Sequence, residues 1–129
     1  MARRVIPPSM KMLYDQWHFA PAVVDGRHVR CSGVLGFGAD GKIAADPEAQ
    51  FTQAFENLQV VLTEAGASLA DVIEMTTFHV ELSKHLGAFT KVKDRFVGDP
   101  YPAWTAIGTP ELALPGALVE IRVTAVQPD

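Results

Sequence analysis

Glu120 is the side chain whose setting says most about chemistry. It stands in Val119-Glu120-Ile121-Arg122-Val123-Thr124-Ala125-Val126, an alternating run that reads as a β-strand. A carboxylate among such neighbours must find partners or stay neutral. Desolvation drives its pKa toward the range in which a general acid or base works near neutral pH. The competing reading is an ion pair, either with Arg122, two residues on and so on the same strand face, or with a neighbouring subunit. His79, in Thr77-Phe78-His79-Val80-Glu81, shares a face with Thr77 and Glu81. A histidine beside an acid is general-base material, and equally a histidine of a sheet edge or an interface. Arg30 shares a face with His28 and Ser32 by the same two-residue period. Its guanidinium suits an anionic ligand or a surface acid. Trp104 offers one N–H donor and a large apolar face, which makes it a ligand wall or a space-filling core residue.

Other chemistries find no support in the residues. His18, His28, His85 and Cys31 fall at no metal-ligand spacing, and no paired-cysteine or two-histidine helix motif occurs, so neither a metal nor a cofactor is expected. Gly33-Val34-Leu35-Gly36-Phe37-Gly38 is no phosphate loop, because no Lys-Ser/Thr follows and no helix opens there. The chain has 129 residues and a net charge of −4, which speaks for one domain and against nucleic-acid binding. No apolar stretch reaches the length of a membrane span. The start, Met1-Ala2-Arg3-Arg4-Val5, runs into prolines and does not read as a signal peptide. The single cysteine cannot form an internal disulfide, so a cytoplasmic location is expected.

The elements that must position these groups follow from pattern. Residues 1–16 contain Pro7-Pro8, lack periodicity and read as an irregular arm. A strand is expected from His28 to Leu35, between turn signals at Asp25-Gly26 and Asp40-Gly41, with a short return strand at Lys42 to Ala44 and a further strand near residues 17–24. Asp46-Pro47-Glu48 is a helix start, and Phe51, Ala54, Phe55, Leu58, Val61, Leu62 and Ala65 then form one apolar stripe as far as Gly66. Val72 to Leu82 is a strand. Ser83 opens a second helix with Leu86, Phe89, Val92 and Phe96 on one face, ended by Gly98 and Pro100. Tyr101 to Ile107 and Ala117 to Gln127 are the last strands. The prediction is an α+β domain over 1–129, a single mixed sheet with two helices on one face. The opposite face, carrying Leu118, Glu120, Arg122 and Thr124, is left bare and asks for a partner surface.

From about residue 17 to residue 127 the chain resembles the Rid (YjgF-type) enamine/imine deaminase family. The resemblance rests on Gly26, Val29 and Ser32-Gly33; Gln50, Ala54, Asn57-Leu58, Val61-Leu62 and Gly66; Leu69-Ala70-Asp71-Val72; Thr76-Thr77; Phe96; Pro102-Ala103 and Thr105; and Leu114-Pro115-Gly116-Ala117-Leu118-Val119-Glu120-Ile121. It implies a chorismate-mutase-like fold, a homotrimer, and pockets for a small organic molecule between subunits. It places Glu120 at the position that holds the hydrolytic water and Ser32 at a pocket serine. Phe19 falls at the pocket tyrosine and Phe89 near the pocket asparagine. Trp104 stands where the family has the arginine that clamps a substrate carboxylate, followed by Thr105. The reactive cysteine's position falls on Ala106, so Cys31 does not inherit that role. The resemblance therefore implies a deaminase-type hydrolase other than a standard 2-aminoacrylate deaminase, with Glu120 catalytic and Ser32, Trp104, Phe19, Phe89 and Thr105 around the ligand, while Arg30, by its strand face, and Arg122 are the candidates to replace the missing cation. The rival readings are a non-catalytic small-molecule-binding trimer and, behind it, an endoribonuclease or translation inhibitor.

Overall fold

A computed structural model describes residues 2–129. In chain order the elements are β1 (Arg3–Val5), a 3-10 turn (Pro8–Met10), α1 (Lys11–Asp15), β2 (Ala22–Asp25), β3 (His28–Cys31), β4 (Val34–Leu35), α2 (Pro47–Glu64), a second 3-10 turn (Leu69–Asp71), β5 (Val72–His79), α3 (Leu82–Phe96), β6 (Ala103–Gly108) and β7 (Val119–Val126). The strands form one sheet in the order β1-β2-β3-β7-β5-β6, and β4 also pairs with β7. Every pairing is antiparallel except β5 with β6, which α3 connects as a crossover. The sheet is thus mixed and the fold α+β.

Alternation along β7 decides which face is covered. Val119, Ile121, Val123 and Ala125 are buried beneath the helices, while Arg122 is exposed and Glu120 and Thr124 are partly so. α2 begins as its sequence dictates: the Asp46 carboxylate accepts from the Ala49 N–H, with Pro47 at the first position. Its stripe Phe51, Ala54, Phe55, Leu58, Val61 and Leu62 is fully buried. Phe55 stacks on Phe89 and Phe96 of α3, which brings both helices to the same side. Gln50, also buried, donates to the Ala44 and Gly116 carbonyls and accepts from the Leu118 N–H. One amide side chain therefore ties the start of α2 to the entry of β7. Gly36 sits so close to the Gln50 carbonyl that a Cβ there would collide with backbone.

Several expectations need correction. Residues 2–16 are not irregular: β1 pairs with β2, and Pro8 starts a 3-10 turn that leads into α1. A three-residue strand is too short to show a period, and its pairing is set by the sheet edge it meets. The return strand at 42–44 reduces to one bridge, Phe37 with Ile43. α3 starts at Leu82 from Glu81, a residue in the left-handed region at φ 55°, and not from Ser83. Leu118 is half-buried and rests against the core instead of lying bare. The open face instead presents Phe78 and Ile107, whose register places them beside Glu120 and each other.

Candidate functional site

Glu120 owes its position to a β-bulge. On β7 it lies opposite Leu35 of β4 and Phe78 of β5. Between Arg30, which faces Thr124, and Val34, which faces Ile121, one strand advances four residues and the other three. The extra residue falls at Ser32-Gly33 and breaks one strand into β3 and β4. Gly33 fills the break because the Glu120 carboxyl lies against it, where a Cβ would overlap the carboxyl. Ser32, the other bulge residue, donates its hydroxyl to the Ala20 carbonyl at 2.7 Å. Phe19, Ser32 and Gly33 line a small cavity of about 20 Å³, no more than a water's room, closed on its far side by Met10 and Leu13 of the N-terminal segment. The structure thus sets Glu120 against Gly33 of the bulge, and Phe19 shares a cavity with Ser32 and Gly33.

Burial pushes the Glu120 carboxyl above its ordinary value of 4.5, and the charge of Arg122 offsets part of that rise. No hydrogen bond or ion pair holds the carboxylate among the described residues. It is a partly desolvated, unengaged acid on the open face of the sheet. Arg30 is exposed four β7 positions away, about 13 Å along the strand, and does not join it. Cys31 is buried, and its thiol is pushed up to about 12 by desolvation, which leaves it unreactive at neutral pH.

A second group lies on the other side of the sheet. Trp104 of β6 is in register with Met75, whose side chain is buried under the helices. The indole N–H donates to the Thr77 hydroxyl at 2.9 Å, and that hydroxyl is 2.7 Å from His79 Nε2. Phe89 lies against Trp104, with ring centroids 6.0 Å apart, and against His79 at 4.8 Å. Phe89 was expected to line a ligand pocket, but it is fully buried between α2 and α3. Its ring has no exposed face to offer and instead backs Trp104 from inside the core. Thr105, next in sequence, points the opposite way and sits beside Thr76 and Arg122 on the Glu120 face. Within one chain, therefore, Trp104 and Glu120 never meet.

Sequence reasoning missed Lys93. Its side chain is only 11% exposed, and its ammonium lies 4.8 Å from the centroid of the Trp104 ring. The available signal was helical spacing: Lys93 follows Phe89 by four residues and so shares its face. A lysine within a buried stripe is unusual unless its stem packs and its charge finds a partner.

His79 is wholly buried, with Nδ1 left without a partner among the described residues. Desolvation lowers its pKa below the ordinary 6.5. A lowered histidine contributes stability that is complete above its unfolded value and is lost as pH falls through the folded one. The thermal midpoint should therefore drop as pH is lowered from about 7.5 toward 5, more steeply in the wild type than in His79→Phe, which keeps a ring against Phe89. Thermal scans at matched ionic strength check this, and parallel slopes for the two proteins would refute it.

No helix here is long and apolar enough to cross a membrane, and no metal-holding group of His, Cys, Asp or Glu occurs among the described residues. A mixed sheet covered by helices on one side, with an unengaged carboxylate at a bulge on the other, defines a small α+β protein of the YjgF type. The chain belongs to the YjgF/RidA family, whose pattern, described as endoribonuclease L-PSP, matches residues 11–127. It is 34% identical over 126 residues to the RutC family protein YjgH of Escherichia coli K12, covering 97% of this chain and 95% of that one. A solved structure of protein YjgH superposes with a TM-score of 0.89 at 33% identity, covering 98% and 97% of the two chains. A 2-iminobutanoate/2-iminopropanoate deaminase of Dermatophagoides farinae is 31% identical over 112 residues, 84% of each chain.

Proposed function

We propose that the chain is a deaminase-type hydrolase of imines or enamines, acting in pockets that form between copies of a homotrimer. The observation that carries this reading is the Glu120 carboxyl: half-buried, raised, without a partner among the described residues, and set against Gly33 of the bulge. Such a group can take a proton from water as the water oxygen adds to the C=N carbon. It then returns that proton to nitrogen, and the tetrahedral adduct collapses to a carbonyl compound and ammonia. In this reading a second copy supplies Trp104, since Glu120 and Trp104 occupy opposite faces of their own sheet. Trp104 is taken as an apolar wall, with Ser32, Phe19 and Thr105 as further contacts. The similarity to a named 2-iminobutanoate/2-iminopropanoate deaminase supports the reaction type. The net charge of −4 counts against ribonuclease action. A reducing compartment such as the cytoplasm suits a chain whose one cysteine is buried.

Trp104 also shapes the substrate range. Without an arginine fork, imines of the smallest amino acids lose a planar bidentate contact that no single ammonium replaces in full, at a cost of about 2 kcal/mol, or roughly 30-fold in rate. Imines generated in place by an amino-acid oxidase, with ammonia release followed directly, test the proposal. Faster decay of imines from large amino acids than of those from alanine or serine is expected. Small-molecule stabilisation of the fold without turnover of any imine would instead establish a non-catalytic binding protein.

A further inference from the structure

The structure assigns Lys93 to the ligand: we infer that its ammonium receives the carboxylate of a small monoanion at the edge of Trp104. The inference deepens the proposed function by naming the anchor and charge class of the ligand at the Trp104 half of the site, and it rests on that reading only for the site's location.

Three observations carry it. The Lys93 side chain is buried, and its charge is held over an indole that is itself fixed by Thr77. The ring face can engage at most part of the ammonium's hydrogen-bonding capacity. An ammonium has three donors, and the structure gives this one a single protein partner, Asp94 Oδ1, at 3.4 Å. That acid is 70% exposed at its side chain and adjacent in sequence, so water can take it over at little cost. The ammonium is thus desolvated, oriented and underused. A buried charge of that kind favours an anion that brings its own oxygens.

The class of anion follows from the surroundings. One monovalent cation at an apolar wall matches a monocarboxylate better than a phosphate, which needs several donors or a backbone nest. Among the described residues no other cation lies over the Trp104 ring, and Lys91 and Arg95, the α3 neighbours of Lys93, pair with Glu48. Arg30 and Arg122 lie on the opposite face of the sheet.

The test uses benzoate and its uncharged isostere benzamide as probes, titrated against the assembled protein by NMR at low and moderate salt. Wild type should prefer benzoate, with the preference shrinking as salt rises. Lys93→Met keeps the stem and removes the charge; it should weaken benzoate by about tenfold or more and leave benzamide unchanged. Lys93→Arg should retain the preference. An unchanged benzoate-to-benzamide ratio in Lys93→Met overturns the inference, as does failure of benzoate to bind wild type. The outcome is separable from the hydrolase reading. Lys93-dependent benzoate binding in a protein that turns over no imine sustains this inference and sinks the other. Imine turnover with a charge preference indifferent to Lys93 does the reverse.

Discussion

Glu120→Gln should remain folded and assembled yet lose about 100-fold or more in turnover, the usual scale for a general base. Glutamine keeps the length and planarity that fit against Gly33 and removes only the ability to accept a proton. The pH profile gives the same prediction a second reading. Because the raised carboxyl must be ionised to act, wild-type activity should climb with pH through a midpoint above 4.5, and that limb should vanish in the variant. Stability should move in the opposite sense. A carboxyl raised by burial contributes stability that is complete below its unfolded value and is lost as pH rises through the folded one. At neutral pH the glutamine variant should therefore be at least as stable as the wild type in thermal scans. A folded, fully active Glu120→Gln would make Glu120 structural.

Much of this arrangement is legible in the residues, and the parts that are not have identifiable physical causes. The alternation along β7 names its buried and open faces because each side chain's burial follows from a period of two. The capped start and apolar stripe of α2 are equally local. β1 escapes notice because three residues carry no period and find their partner only in the assembled sheet. The bulge at Ser32-Gly33 is a one-residue offset between two strands, visible only when both are paired. It is nevertheless what sets Glu120 against Gly33. Phe89 invites two readings, core by helical spacing and ligand wall by resemblance, and the stacking of α3 on α2 gives it to the core. Lys93 hides for another reason. A lysine letter reads as solvent, while its four-carbon stem is free to pack along Trp104 and place the charge over the ring.

The central proposal is that each site draws Glu120 from one chain and Trp104 from another, since the two lie on opposite faces of one sheet. It leads to the second large effect. Trp104→Ala removes the apolar wall and should cost about tenfold or more in rate, while Glu120→Gln is nearly inactive. Each variant alone is crippled at every site. In a closed trimer assembled from equal amounts of both, a site formed between neighbours is intact when the chain supplying Glu120 carries the Trp104 change and its neighbour carries the Glu120 change. Random assembly produces that arrangement at about one quarter of sites. Ammonia release from co-assembled, differently tagged chains, with hybrid trimers counted by native mass spectrometry, is the most direct measurement. The account predicts activity near a quarter of wild type, well above either parent. Hybrids that form and yet show no more than the sum of their parents would place the whole site within a single chain and contradict it.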